Sequence, residues 1–213
     1  FVFASQASVQ ASAANEYVFI IICAPVKSYY TGGEINVLIA EEYSRAANGG
    51  VGFAKAAGNY AAQFYPTSEA LKNGFQQIIW TDADSHEHME EAGTMNIFFK
   101  INNTLVTAPT NDRILDGITR KSIIALAKHN GISVEERPVK VQEIKDAHQA
   151  GTLEEVFGTG TAVVVLPISS FSHQKQVYKL PKTTPLADSL KEQLMDIQYN
   201  LAEDPFEWRR GIH

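Results

Sequence analysis

Cysteine is almost absent from this chain: Cys23 is the single one in 213 residues. One thiol cannot close an intramolecular disulfide, so a disulfide-stapled scaffold is excluded. Its place in the apolar run YVFIIICAPV (17–26) predicts a buried, inert thiol. Positive charge is also scarce, with 18 Lys and Arg against 24 Asp and Glu and a formal net charge of −6. That balance speaks against a nucleic-acid or anionic-membrane partner. No apolar run approaches a membrane span, and FIIIC (19–23) is only strand-sized. The first residues lack the basic and apolar regions of a signal peptide, so none is expected. Phe1 rather than Met opens the chain, which is expected to begin after cleavage or as a fragment. There is no internal repeat or low-complexity tract. GGVG (49–52) and GTG (158–160) lack the G-x-G-x-x-G spacing of a dinucleotide-binding turn.

What is present fits a globular protein. A chain of 213 residues makes one large domain, or one and a half smaller ones. At that size folding buries roughly 70% of the unfolded surface, enough for a core without staples. YVFIIICAPV (17–26) and INVLIAEEY (35–43) read as strands separated by TGG (31–33). NYAAQFYPTSEALKNG (59–74) reads as a helix with Asn59 as cap, Gly74 as stop and a break or kink at Pro66. FQQIIWTDA (75–83) is strand-like, and MNIFFKINNTLVTAP (95–109) predicts a hairpin turning at Asn102-Asn103. GITRKSIIALAKHNG (117–131) carries apolar residues at helical spacing. ISVEERPVK (132–140) reads as a strand, VQEIKDAHQA (141–150) as a short helix, EVFGTGTAVVVLPISSF (155–171) as a buried strand, and TPLADSLKEQLMDIQYNLA (184–202) as the last helix. Strands, helices and hairpins mixed in this way predict an α+β (mixed α/β) fold.

Four stretches look chemical. In GGVGFAKAAGNY (49–60) Lys55 is the only charge, and its small neighbours leave space beside it for a bulky ligand. A surface lysine in a flexible loop is the plainer alternative. GITR (117–120) opens a helix whose free N–H groups attract anions, with Thr119 as a simple cap otherwise. GTGTAVVV (158–165) interrupts an apolar run with glycines and threonines whose N–H and hydroxyl groups can hold a phosphate or carboxylate, or merely mark a bulge. HEHMEEAGTMN (86–96) has His86, His88, Glu90 and Glu91, yet lacks a third placed metal ligand. A carboxylate beside a cofactor and a solvated charged loop are its other readings. Together these are the parts of a pyridoxal phosphate pocket: an amine for the aldehyde, donors for the phosphate, an anion for the ring nitrogen, and a phenol such as Tyr60 for the ring oxygen.

RAANGGVGFAKAAGNY (45–60), EEAGTMNIFF (90–99), DGITRKS (116–122) and FGTGTA (157–162) stand in the order and spacing of a known family. With PVKSYYTGG (25–33), where the family usually reads P-V-G-x-Y, the chain resembles the branched-chain amino acid aminotransferases. These are fold-type IV pyridoxal phosphate enzymes, and the resemblance runs over essentially the whole chain. It implies the large C-terminal domain of the D-amino acid aminotransferase-like fold, with remnant strands of a small domain. Lys55 would be the Schiff-base partner and would move the proton between the substrate's Cα and the cofactor's C4′. Tyr60 would face the phenolic oxygen, and Glu91, not Glu90, the ring nitrogen. Ile118, Thr119 and Thr161 would hold the phosphate, with Arg45 near it. Ala162 would offer its N–H to the substrate carboxylate, and Tyr29 and Thr94 would lie against the substrate. The substrates implied are amino acids and 2-oxo acids, in a cytoplasmic homodimer with no nucleic acid, membrane or metal.

Two departures stand out. Where some members carry a redox C-x-x-C, this chain has Val163 and Leu166, so thiol regulation of that kind is not expected. The resemblance also divides the chain into a small-domain remnant (1–30), a linker (31–45) and the cofactor domain (46–213). The small domain would bring a phosphate-binding arginine, part of the substrate pocket and much of the dimer contact, so this chain alone is expected to be impaired or inactive. Another fold-type IV reaction, such as D-amino acid transamination or aminodeoxychorismate lysis, and a non-catalytic truncated domain remain open.

Overall fold

The computed structural model describes residues 1–25 and 34–211. Tyr29 and the TGG turn (31–33) lie outside them. β1 (Val2–Ala4) and β2 (Tyr17–Phe19) pair antiparallel as a two-stranded sheet. A second, eleven-stranded sheet holds β3 (Asn36–Ile39), β4 (Gln77–Thr81), β5 (His88–Ala92), β6 (Met95–Ile101), β7 (Thr104–Thr107), β8 (Ser133–Glu136), β9 (Val139–Lys140), β10 (Leu153–Gly160), β11 (Val164–Pro167), β12 (Ser170–His173) and β13 (Gln176–Lys179). Its spine runs β11-β10-β6-β5-β4-β3-β12-β13, with β7 and β9 branching from β6 and β5. The helices are α1 (Ala57–Lys72), α2 (Ile118–His129), α3 (Val141–Gln149) and α4 (Pro185–Gln198). This is the expected α+β architecture.

The pleat sorts the apolar residues. Along the IFF run of β6, Ile97 and Phe99 join the cluster that α3 supplies with Ile144 and Ala147. Phe98 faces the other way, into the cluster made with Ile123 and Ala127 of α2 and Leu190 and Leu194 of α4. Successive side chains of a strand point to opposite faces, so one hydrophobic run serves two layers. Phe98 and Phe157 stack at 5.4 Å and are fully buried. Burying such a ring contributes about 1.5–3 kcal/mol.

Several expectations change. The stretch 155–171 is not one strand: a turn at 161–163 reverses it, so β10 and β11 pair antiparallel and β12 leaves to lie parallel to β3. It reads as continuous because every arm is buried or half-buried in one sheet. Among the described residues of the run 17–26, which end at 25, strand pairing covers Tyr17–Phe19. Cys23 is exposed rather than buried, as are Ile21 and Ile22, because no layer covers them among the described residues. β3 lies between β4 and β12, with Val37 and Ile39 buried, so the large sheet begins inside the stretch 31–45 expected as a linker. α1 starts at Ala57 with Ala56 as cap, and runs unbroken through the buried Pro66. Asn59 instead donates its amide to Val51 O at 2.8 Å and Ala54 O at 2.9 Å. The Asn102-Asn103 hairpin is as expected, both residues having positive φ as a type I′ turn requires.

Candidate active site

One row of side chains crosses the sheet. Register aligns Trp80 of β4, Glu91 of β5, Asn96 of β6, Thr159 of β10 and Val165 of β11. Directly opposed residues share a face, so apolar flanks surround three polar groups. HEHMEEAGTMN is therefore no solvated loop. Glu90 and Glu91 are each only 4% exposed, on strand β5.

Glu91 is fully engaged. Its Oε1 accepts from the Leu115 N–H at 2.8 Å and the Asn96 amide at 3.2 Å, and its Oε2 pairs with Arg45 at 2.7 Å. Burial pushes its carboxyl from an ordinary 4.5 up to about 7, against the pull of Arg45 and the Leu115 N–H. The Lys55 charge also favours the ionised form, which ties the lysine to the same site. Arg45, expected beside a phosphate, has its guanidinium taken up by Glu91 and by the carbonyls of Gly52 and Arg113. Glu90 points away to Arg113, and burial raises its carboxyl too, with that guanidinium opposing.

Lys55 leaves the glycine-rich loop exposed to solvent and donates to the Tyr60 hydroxyl at 2.9 Å. They meet because Tyr60 lies in the first turn of α1, whose start follows the lysine directly. Tyr60 lines a cleft together with Arg45, Glu91, Thr94, Asn96 and Leu115. Four of the expected residues therefore line one cleft, Tyr60, Arg45, Glu91 and Thr94, and Lys55 joins them through the Tyr60 hydroxyl.

The other expected groups border this cleft. Leu115, held by Glu91 and Asn96, leads into α2. The α2 cap is Gly117, not Thr119, and it has no side chain to bond the first-turn N–H groups, which include those of Ile118 and Thr119. Those N–H groups carry the positive end of the helix dipole. A Cβ on Gly117 would lie 2.1 Å from Asn96 Oδ1, so only glycine lets the helix start approach the strand this closely. Thr161 and Ala162 sit exposed in the β10–β11 turn. A Cβ on neighbouring Gly160 would lie 3.8 Å from Thr94 O, so that turn adjoins the one bearing Thr94. The Thr159 hydroxyl is buried without a partner among the described residues. His86 and His88 are used locally, on Thr81 and Asp82. Among the described residues no group of three or more His, Cys, Asp or Glu is placed to hold a metal.

Asn96 and the segment Asn111–Leu115 were missed as site residues. Asn96 lies inside EEAGTMNIFF (90–99), but nothing local marks NDRIL (111–115) as functional; it matters only through its distant partners.

Residues 4–171 match the family model of amino-transferase class IV, and the chain belongs to that family. It is 40% identical over 216 residues to branched-chain-amino-acid aminotransferase 2 of Bacillus subtilis (strain 168), covering 100% of this chain and 60% of that protein. Among solved structures it resembles the branched-chain amino acid aminotransferase from Escherichia coli, with 28% identity and a TM-score of 0.70 over 82% of this chain and 56% of that one. It also resembles the T.th. branched-chain amino acid aminotransferase complexed with N-(5′-phosphopyridoxyl)-L-glutamate, with 26% identity and a TM-score of 0.64 over 76% of this chain and 51% of that one. The chain spans about 60% of the length of the curated relatives it matches. Among the described residues no helix is long and apolar enough to cross a membrane.

Proposed function

We propose that this chain carries the pyridoxal phosphate site of a transaminase that moves the amino group between leucine, isoleucine or valine and 2-oxoglutarate. The observation that carries the reading is that Tyr60 and the Arg45–Glu91 pair line one cleft, with Lys55 held at its edge by the Tyr60 hydroxyl. Similarity to proteins named as branched-chain aminotransferases supports the substrate class, and the phosphopyridoxyl ligand of the T.th. protein supports the cofactor.

The residues fit such a cofactor. An anion suits the start of α2, the Thr159 hydroxyl is buried without a partner among the described residues, and a buried carboxylate at Glu91 suits a protonated ring nitrogen. When bound, pyridoxal phosphate supplies a ring that accepts the electron pair released at the substrate's Cα. Glu91 would keep the ring nitrogen protonated, and Arg45 would keep Glu91 ionised. Lys55 Nζ would hold the aldehyde carbon and then carry the Cα proton. A positioned general base of that kind contributes typically ~10²–10⁴-fold. Tyr60 would orient Lys55 and the ring oxygen. Ile118, Thr119 and Thr161 would hold the phosphate, and Ala162 and Thr94 the substrate end. An apolar side-chain pocket would separate the three substrates weakly, since one methylene is worth about 1–3 kcal/mol. In the same reading residues 1–30 belong to a small domain, the sheet from β3 onward to the cofactor domain, and the whole protein is a cytoplasmic homodimer.

The test is spectroscopic. Pyridoxal phosphate added to the chain is expected to give the absorption band of a lysine-bound cofactor, which Lys55→Ala abolishes. L-leucine is then expected to convert that band to the pyridoxamine form. A band that survives Lys55→Ala, or that D-alanine shifts while L-leucine does not, would refute the reading.

A further inference from the structure

The cleft is built from two pieces far apart in sequence, the lysine loop and strand β5. One short segment fastens them together. Asp112 accepts the Gly49 N–H on its carboxylate at 2.5 Å and the Phe53 N–H on its carbonyl at 3.2 Å. Arg113 donates its Nε–H to the Glu90 carboxylate and its terminal N–H to the side-chain oxygen of Asn48. The Arg113 carbonyl accepts from Arg45, the partner of Glu91. Gly52 packs so closely on Arg113 that a Cβ there would lie 2.6 Å from its Cα and its carbonyl oxygen. Two residues on, the Leu115 N–H reaches Glu91 at 2.8 Å. The far end of the loop is held separately, by the Asn59 amide on Val51 and Ala54. Lys55 comes directly after Ala54, between these two anchors.

The side chain of Arg113 is the cationic link between Glu90 and the loop. Glu90 is 4% exposed and adjacent to Glu91, yet on the opposite face of β5. A guanidinium can serve two acceptors at once because its donors are set in a rigid fork, which an ammonium lacks. It therefore neutralises a buried acid and grips the loop with one side chain. We propose that Arg113 is a positioning residue: by bridging Glu90 of β5 to Asn48, it sets the lysine loop at a fixed distance from the strand that carries Glu91. The inference rests on the function proposed above only for what Lys55 then does. The tether itself exists whether or not a cofactor binds.

The experiment uses the 213-residue chain with Arg113→Gln, Arg113→Lys and Asn48→Ala. Asn48→Ala leaves the Glu90–Arg113 pair intact, so it keeps the proposal testable if Arg113→Gln fails to fold. Hydrogen exchange without cofactor is expected to quicken over residues 48–56 in Asn48→Ala and Arg113→Gln. The rise should be at least roughly three- to tenfold, as loss of the Arg113–Asn48 hydrogen bond alone implies; Asn48→Ala also gives up the amide bond to Asp84 at 3.1 Å, and Arg113→Gln the bond to Glu90. Exchange in β6 and β10 should stay at the wild-type level. With pyridoxal phosphate, both variants are expected to bind several-fold more weakly and to shift the pH midpoint of the lysine-bound band. A merely structural role would not move that midpoint. Arg113→Lys, which keeps the charge but not the fork, should restore folding and leave the loop loose. Wild-type exchange over 48–56 together with a wild-type midpoint in Asn48→Ala would overturn the proposal. Absence of any band in the wild-type chain would instead refute the cofactor reading, and exchange would still decide the tether.

Discussion

Replacing Arg45 by methionine isolates the central charge pair of the site. Both side chains are 5% exposed and 2.7 Å apart. In the wild type, burial raises the folded-state value of Glu91 from 4.5 to about 7. The folded chain then binds this proton more tightly than the unfolded chain does. Its contribution to stability is complete below about pH 4.5 and is lost as pH rises to about 7, about 3 kcal/mol in all at about 1.36 kcal/mol per pH unit. Arg45→Met removes the main group that opposes burial, so the folded value moves above 7 and the loss continues past neutrality. The variant also loses hydrogen bonds to the Gly52 and Arg113 carbonyls at any pH. Those cost about 2 kcal/mol together. Breaking a buried pair while the acid stays ionised costs about 3–5 kcal/mol. Urea unfolding at pH 5 and pH 8 should therefore show the variant less stable by about 2 kcal/mol at the lower pH and by up to about 5–7 kcal/mol at the higher, where the broken pair adds to the lost hydrogen bonds. Losses equal at the two pH values would mean that Glu91 and Arg45 do not form the ion pair on which the site's electrostatics depend.

Two other perturbations test neighbouring features. Gly117→Ala puts a Cβ 2.1 Å from Asn96 Oδ1 and must displace the amide that holds Glu91 and Leu115. It is expected to cost about 1–3 kcal/mol in thermal unfolding and to weaken pyridoxal phosphate binding. Glu155→Ala removes the carboxylate that accepts the Leu186 and Ala187 N–H groups at the start of α4, both at 2.9 Å. A loss of about 2 kcal/mol in urea unfolding is expected, with the cofactor spectrum unchanged because this cap lies at the other end of β10.

The parts were more legible than their assembly. Apolar residues at helical spacing marked α2, and the Asn102-Asn103 pair marked the β6–β7 hairpin, where both residues do take the positive φ the turn requires. The same reasoning merged β10, β11 and β12, since a strand buried on both faces shows no alternation to mark where it turns. It placed Cys23 inside because apolar runs are usually covered, whereas cover depends on a second layer. Among site residues, Lys55 and Tyr60 were readable together because five residues of chain bring them within reach. The Arg45–Glu91 pair was not, because the packing of distant segments rather than local spacing brings the two together.

By itself, the sequence determined which chemical groups the protein has, the local elements that bear them, and the family they belong to. Those follow from short-range spacing, which the chain carries wherever it folds. Only the tertiary structure decided that Arg45 pairs with Glu91, that Arg113 ties the lysine loop to β5, and that the Thr159 hydroxyl is buried without a partner among the described residues. Each depends on strand register and on burial, which arise when distant segments pack and exclude water.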